Sequence, residues 1–231
     1  MPRPRDLLRA TVRSGDRLGA ALRRHGVRGT ARRLGARARA AAHLEETHVW
    51  YALDIGTELP RELPPGCELL RDRRGDVAAA GVLDSHSHET EGRLAAGGER
   101  WLVVDGGEAA FRCWIFPTRT PMIAARGGWL ALPAQTACLE DSATAPTHRG
   151  RGIAPAAWSA IAGRIAEQPQ VRTMVTKVEE DNVASRRAVE KSGFREVGVM
   201  TLVRTGPRTR VHVDAFPGEP VAAALAELLE R

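Results

Sequence analysis

Residues Thr147 to Ala154 read THRGRGIA, and this stretch decides the fold of the chain. Gly150 and Gly152 end a loop, and apolar residues at helical spacing follow at once, which predicts a helix there. Glycines let a backbone approach a ligand closely, and the amides of a first helical turn lack intrahelical partners. The helix dipole, Arg149 and Arg151 add positive charge, so the loop favours a pyrophosphate. The alternative is a plain arginine-glycine turn before a surface helix.

A strand is predicted immediately upstream of this loop, over residues 136 to 144. Glu140 and Asp141 are adjacent carboxylates in it. Strict alternation places Glu140 on one face with Cys138 and Ser142, and Asp141 on the other face.

The segment downstream of the loop predicts further alternating elements. The helix is expected from about Ala154 to Glu167, and a buried strand follows it. Asp181 or Asn182 then caps a second helix, which ends at Gly193. The remaining predicted elements are the buried strand 171–178, the strands 196–203 and 208–216, and an apolar helix over 221–229.

The segment upstream contains a hairpin and two less regular stretches. Gly106-Gly107 separates the apolar runs 100–105 and 109–116, which predicts a β-hairpin. Residues 117–133 read as an apolar loop that either walls a substrate pocket or covers the core edge. The other predictions are short strands at 48–55 and 67–71, and a helix over 76–98 that a polar loop interrupts at 84–89. His86 and His88 in that loop lack the spacing of four that a helical metal site needs.

Charge is very unevenly distributed. Residues 1–43 hold twelve arginines and two acidic residues, a net charge of +10, and the remainder holds 22 basic and 26 acidic residues, a net charge of −4. Residues 6–44 have apolar residues near helical spacing, with glycines that divide them into short helices. Such an arm suits nucleic acid, an anionic membrane surface, an acidic protein face, or a solvated tail.

Composition narrows the class of protein. The three cysteines, Cys67, Cys113 and Cys138, are far apart and in no metal-ligand spacing, so we expect no metal and a reducing cytoplasm. No apolar run reaches the length of a membrane-spanning helix, and the first residues lack the apolar core of a secretory signal.

Two ordered motifs carry a resemblance to a known family. Arg149-x-x-Gly152-x-Ala154 resembles the signature of the GCN5-related N-acetyltransferase (GNAT) superfamily. Asn182-Val-Ala-Ser185, followed by Gly193-Phe194, resembles the downstream helix of that family. The resemblance covers about residues 65–216. It implies an α/β (α+β) fold with a mixed, mostly antiparallel sheet flanked by helices, here with a basic helical N-terminal arm.

The resemblance also implies a site for acetyl-coenzyme A or another acyl-coenzyme A. It would lie in the splay between the strand that ends near Thr144 and the strand from 171. Pantetheine would pair with backbone near Ala143, Thr144 and Ala145. The other implied cofactor residues are Arg149, Gly150, Arg151, Gly152, Ile153, Ala154, Asn182 and Ser185.

An amine must be neutral to attack a thioester, so the reaction needs a proton acceptor. Glu140, nine residues before Arg149, is our candidate, and Asp141 is the competitor if the register differs by one. Either carboxylate could instead pair with an arginine. Many relatives have a tyrosine seven residues after the asparagine to protonate the leaving thiolate, whereas this chain has Val189, and its one tyrosine is Tyr51.

The sequence therefore favours an N-acyltransferase that acts on the amine of a small molecule. The second hypothesis is an aminoacyl-tRNA-dependent transferase of the same fold that binds tRNA through residues 1–43. The third is a module that binds coenzyme A or nucleic acid without catalysis. We expect the arm at 1–44, the acyltransferase domain at 45–218 and a C-terminal helix at 219–231. A homodimer is a possible assembly.

Overall fold

The computed structural model describes residues 43–56, 61–72, 83, 87–123, 126–167, 170–205 and 208–230. Ten strands and four α-helices are formed by these residues. In chain order they are β1 (His43–Asp54), β2 (Cys67–Asp72), α1 (Ser87–Ala95), β3 (Glu99–Asp105), β4 (Glu108–Phe116), β5 (Arg119–Ile123), β6 (Arg126–Ala131), β7 (Thr136–Thr144), a 3₁₀ turn (Pro146–His148), α2 (Ile153–Ala166), β8 (Thr173–Glu179), α3 (Val183–Lys191), β9 (Arg195–Thr205), β10 (Arg208–Ala215) and α4 (Pro220–Glu230).

Eight strands form one sheet in the order β10-β9-β1-β8-β7-β4-β3-β2, and β5 pairs with β6 separately. The pairs β1–β8, β2–β3, β3–β4 and β4–β7 are antiparallel, and β7–β8 is parallel. Helices pack on the sheet, so the mixed, mostly antiparallel fold expected from the sequence is confirmed.

The described residues divide into two compact units. Residues 46–202 and 211–230 belong to one unit, and residues 43–45, 203–205 and 208–210 belong to the other. The sheet positions discussed below, the helices and the candidate site belong to the first unit.

Both faces of the central sheet are buried, which explains why β4 reads as a continuous apolar run. Phe111, Cys113 and Ile115 of β4 belong to a cluster that includes the apolar side of α2. Trp114 and Phe116 belong to a second cluster, which includes residues of α4 and Leu130 of β6. We call these the α2 face and the α4 face of the sheet.

Three expectations from the sequence need correction. The helix α1 begins at Ser87, so the polar loop expected at 84–89 is wrong for its last three residues. The apolar loop expected at 117–133 contains the β5–β6 hairpin. Residues 43 and 44, assigned to the helical arm, lie in β1. Residues 6–42 of that expected arm, and His86, lie outside the described residues.

Candidate active site

The site forms where the parallel strands β7 and β8 separate. Their pairing runs from Thr136 opposite Thr173 to Leu139 opposite Thr176, while both strands continue beyond it. The Thr176 hydroxyl donates to the Leu139 carbonyl oxygen at 2.8 Å, at the last pair of the ladder. Beyond this point each strand has backbone groups directed into the gap.

A bulge in β7 lies beside this gap. Asp141 has φ +47°, in the left-handed region, and the register with β4 shifts between Arg112 and Trp114. An extra residue in one strand disrupts alternation. The Ser142 hydroxyl accepts a hydrogen bond from the Trp158 indole N–H at 3.1 Å on the α2 face, whereas Asp141 contacts Arg112. The expectation that Glu140 and Ser142 share a face, with Asp141 opposite, is therefore wrong.

A pocket of about 220 Å³ opens at the splay. It is bordered by all three elements around the gap, namely β7, β8 and α3, and also by α2 and β1. Its lining residues are His48, Glu140, Asp141, Ser142, Trp158, Thr176, Lys177, Val178, Glu179, Asn182, Ser185 and Val189.

Glu140 lies at the pocket in a buried ion pair. Its Oε1 accepts hydrogen bonds from the Lys177 ammonium and, at 2.9 Å, from the Thr120 hydroxyl. The Cys138 thiol approaches the same oxygen at 3.4 Å. Both members of the ion pair are buried, with side-chain exposures of 8% for Glu140 and 2% for Lys177. All these bonds end at Oε1, so Oε2 has no hydrogen-bond donor among the described residues.

Lys177 ties this carboxylate to neighbouring elements. Its ammonium donates to the Pro121 carbonyl oxygen at 2.8 Å and lies 5.4 Å from the centre of the Trp50 ring. Together with the Thr120 bond, these contacts hold the β5–β6 hairpin against the α4 face of the sheet. The hairpin within residues 117–133, which the sequence predicts to be a loop, is thus anchored beside the pocket.

Asp141 is held by two arginines. Arg112 donates to its two carboxylate oxygens at 2.7 and 3.3 Å, and Arg93 of α1 donates to Oδ2 as well. Burial raises the pKa of Asp141, but the hydrogen bonds and charges of Arg112 and Arg93 outweigh it and leave the pKa below its usual value. Asp141 is therefore a weak proton acceptor near neutral pH.

The glycine loop reaches α2 with its backbone amides open. Gly150 and Gly152 have φ of +76° and +73°, and a side-chain carbon at either would meet nothing within 4 Å. No side chain caps α2. Within the described part of the chain, no backbone hydrogen bond is donated by residues 150–154. Ile153 is buried in the core, and Ala154 packs against the core. These two residues therefore present only their backbone amides to a ligand.

The two arginines of this loop have different partners. Arg149 Nε is 3.4 Å from the carbonyl oxygen of Thr144. Arg151 donates to Asp105 Oδ2 at 2.7 Å, and His148 Nε2 lies 3.5 Å from the same oxygen. Asp105 therefore partly neutralises the charge of Arg151, whereas the hydrogen bond of Arg149 is to a neutral carbonyl group.

The end of β7 lies between β4 and the gap. Ala143 pairs with Arg112, Thr144 pairs with Phe111, and the amide of Ala145 donates to the Ala110 carbonyl oxygen at 2.9 Å. Residues of a strand present backbone groups alternately to its two sides. One side of this segment is thus paired with β4, and the other faces the splay.

Asn182 and Ser185 lie together at the start of α3. Asn182 Oδ1 accepts a hydrogen bond from the Ser185 amide at 3.2 Å and so caps the helix, as the sequence predicts for position 181 or 182. Both residues line the pocket. Val189, one turn further along, is buried and also lines it.

Tyr51 does not occupy the place of the missing tyrosine. Its hydroxyl has one proton to donate and lies within hydrogen-bond distance of Glu190 and Glu196, at 3.3 and 3.2 Å, while Arg186 donates to it at 2.9 Å. Burial raises the pKa of Tyr51 to about 12, against the opposing effect of Arg186. Tyr51 is absent from the lining of the pocket.

Sequence reasoning missed three charged or titratable residues of the pocket, namely His48, Lys177 and Glu179. Lys177 had a usable signal, because it is one of two lysines in an arginine-rich chain and lies within a strand predicted to be buried. No signal in the sequence marks His48 or Glu179 as a pocket residue, because the two become neighbours only through the register of β1 with β8.

The described residues contain no group of three or more His, Cys, Asp or Glu that could hold a metal ion. The longest described helix, α2, has 14 residues, and no described helix is long and apolar enough to cross a membrane.

Comparison with known proteins gives a consistent result. The model of the acetyltransferase (GNAT) domain family matches residues 88–195. No curated protein matches the chain. A GCN5-related N-acetyltransferase-like protein from Streptococcus suis has a similar fold, with a TM-score of 0.50, 13% identity, and coverage of 74% of this chain and 66% of that chain.

Two further solved structures are similar. One is a putative GNAT acetyltransferase from Novosphingobium aromaticivorans, with a TM-score of 0.48, 20% identity, and coverage of 69% of this chain and 65% of that chain. The other is the aminoglycoside N-acetyltransferase AAC(6')-Iy in complex with CoA, with a TM-score of 0.43, 18% identity, and coverage of 56% of this chain and 92% of that chain. The chain spans 65 to 66% of the length of the Novosphingobium and Streptococcus structures. Residues 88–195, a little under half of the chain, are thus similar to the acetyltransferase (GNAT) domain family, and this segment contains both motifs singled out in the sequence.

Proposed function

We propose that the chain transfers an acyl group, in the first instance acetyl, from acyl-coenzyme A to the amine of a small molecule. The observation that carries this proposal is the buried carboxylate of Glu140 in the pocket between β7 and β8. The amides of residues 150–154, which donate no backbone hydrogen bond in the described part of the chain, lie at the start of α2, whose Trp158 also lines that pocket.

The donor would be held mostly by backbone. Pyrophosphate suits the amides of Gly150 to Ala154, because they point from a helix N-terminus and have no other partner among the described residues. Arg149 and Arg151 add charge, although Arg151 must share it with Asp105. The pantetheine arm suits the unpaired side of β7 at residues 143–145, with Asn182 and Ser185 alongside.

The acceptor amine would attack the thioester directly. A carbon–nitrogen bond forms, the carbon–sulfur bond breaks, and the amine loses one proton. Glu140 is the better candidate for that proton, because Oε2 has no donor among the described residues, whereas Asp141 has both oxygens bound by arginine. Val189 offers no proton to the thiolate, so the thiolate would depart unprotonated or take a proton from water.

The test uses acetyl-coenzyme A and a panel of amines that includes a polyamine, an amino sugar, an aminoglycoside and an amino acid. Free thiol is measured with a chromogenic disulfide, and the acetylated amine is identified by mass spectrometry. We expect thiol release that depends on both the enzyme and one class of amine. Binding of coenzyme A without turnover of any amine would favour a non-catalytic module, and absence of binding would contradict the proposal.

Val189, which cannot protonate a leaving thiolate, favours a second candidate function. A site without a thiolate acid also suits an ester donor such as aminoacyl-tRNA, and the +10 segment at 1–43 would neutralise phosphates. Purified protein with absorbance at 260 nm that ribonuclease removes would favour this donor. The three free cysteines suit a reducing compartment for either function, and we propose the cytoplasm.

A further inference from the structure

We infer that His48 and Glu46 form a proton relay that carries the proton of the acceptor amine from Glu140 to solvent. This inference rests on the proposed function, because it requires an amine to be deprotonated in the pocket. It adds a pair of residues on β1 that neither motif includes.

The need for a relay follows from the surroundings of Glu140. Its carboxylate is 8% exposed at the side chain, so a proton placed there has little direct contact with solvent. The nearest groups cannot take that proton. Lys177 is the cationic partner of the carboxylate, and the Thr120 hydroxyl already donates to it. A further acceptor in the same pocket must remove the proton before the next turnover.

His48 is placed for this role by the register of β1. It lies opposite Glu179, and Trp50, two residues further along β1, lies opposite Lys177. The Trp50 ring contacts the ammonium that pairs with Glu140. His48 is therefore on the same face as that ion pair, about 7 Å along the strand from Trp50. Its side chain is 7% exposed and lines the pocket.

Glu46 provides the outward step. Its Oε2 lies 3.3 Å from His48 Nε2, and its side chain is 25% exposed, more than three times the exposure of the imidazole. A carboxylate at this distance favours a proton on Nε2, which leaves Nδ1 as the basic nitrogen. A proton from Glu140 would reach Nδ1 through pocket water, and the Nε2 proton would leave through Glu46. Each turnover passes one proton to solvent and leaves the His48 proton on Nδ1, so exchange of that proton with water must return it to Nε2 before the next turnover.

The other charged groups around the pocket are unsuited to this role. Asp141 is bound by Arg93 and Arg112, and Lys177 is already a cation. Glu179 is the competing exit, because it lines the pocket and is exposed. It is therefore included in the experiment.

The experiment compares His48→Asn, Glu46→Gln and Glu179→Gln in the full chain, with acetyl-coenzyme A and the amine of the panel that is turned over fastest. The matched control is His212→Asn. His212 forms the same kind of pair with a carboxylate two residues away on its strand, Asp214 at 2.9 Å, but both side chains are 69% exposed. Binding of coenzyme A by calorimetry reports whether each variant is folded.

We expect His48→Asn to lower kcat by about tenfold or more with little change in KM. The solvent deuterium isotope effect on kcat should rise, one ionisation should vanish from the pH profile, and added imidazole should restore part of the rate. Glu46→Gln should show a smaller change of the same kind. Glu179→Gln should keep the wild-type solvent isotope effect, and only the control His212→Asn should match the wild type in every measurement.

Wild-type kcat, pH profile and isotope effect in His48→Asn would overturn the relay. If His48→Asn fails to bind coenzyme A, Glu46→Gln decides, and an unchanged isotope effect in that variant overturns it. Loss of the rate in Glu179→Gln alone would assign the exit to Glu179 instead. If the wild-type protein acetylates none of the amines, that result contradicts the proposed function and therefore also the relay that rests on it.

Discussion

At the scale of single residues, the two adjacent carboxylates of β7 differ through their partners. The bulge at Asp141 brings both side chains to the α4 face, where Glu140 meets one ammonium and Asp141 meets two guanidinium groups. Sequence reasoning could select both residues, because they lie at a fixed distance before the glycine loop. It could not divide their roles, because Lys177, Arg93 and Arg112 come from three other elements.

Glu140→Gln should lower kcat by about a hundredfold, since it removes the proposed proton acceptor. It should also destabilise the fold by about 3–5 kcal/mol, because the ammonium of Lys177 loses its buried partner. The double variant Glu140→Gln/Lys177→Met separates these effects. Urea unfolding should show that most of the stability returns, while kcat stays low. Recovery of kcat in the double variant would assign Glu140 a purely structural role.

Asp141→Asn should destabilise the protein at pH 7, by an amount that shrinks in acid. The pKa of Asp141 is lowered in the folded state, so its ionised carboxylate stabilises the fold above about pH 4 and that contribution is lost as pH falls further. Urea unfolding of variant and wild type at pH 7, 5 and 3.5 measures the narrowing gap. Asp214→Asn, in an exposed pair, serves as the control. A gap that is constant across this range would contradict the assignment.

At the scale of elements, the site depends on where strands stop pairing and where a helix begins. The β3–β4 hairpin, β7, α2 and α3 could be predicted, because glycines, caps and apolar spacing are local signals. The β5–β6 hairpin could not, because Pro121 lies within β5 and the pair lies outside the main sheet. The bulge in β7 could not be predicted either, since an aspartate tolerates a positive φ better than most residues but does not require one.

Gly152→Ala should weaken coenzyme A binding by about tenfold or more, because its methyl group would enter the open space beside the proposed pyrophosphate site. Gly218→Ala is the matched control, since Gly218 also has a positive φ of +81° and open space around it but lies in the turn before α4. Both should lose roughly 1–2 kcal/mol of stability to backbone strain. Calorimetry and thermal unfolding measure the two effects. Equal affinities in the two variants would count against the glycine loop as the phosphate site.

At the scale of the whole molecule, charge separates the first 43 residues, at +10, from the remainder, at −4. The mixed sheet could be predicted from the order of elements, and the similarity of residues 88–195 to the GNAT domain family from two motifs. The acceptor could not, because the pocket is lined by residues from β1, β7, β8, α2 and α3 that meet only in the folded chain.

Deletion of residues 1–42, which leaves β1 intact from His43, should preserve thiol release and coenzyme A affinity if the arm is accessory. If the arm binds tRNA, the affinity of the full chain for tRNA should fall steeply as the salt concentration rises, and the truncated chain should lose this binding. Filter binding at two salt concentrations, beside the thiol assay, measures both. Loss of acyl transfer with retained folding would instead make the arm part of the donor site.

The most direct measurement is calorimetric titration of the full chain with coenzyme A and, separately, with pantetheine, which lacks the pyrophosphate and nucleotide. If the amides of residues 150–154 hold the pyrophosphate, coenzyme A should bind with one site per chain and at least about a hundredfold more tightly than pantetheine, a difference of roughly 2.7 kcal/mol. Equal affinities for the two compounds, or no binding of coenzyme A, would contradict the account.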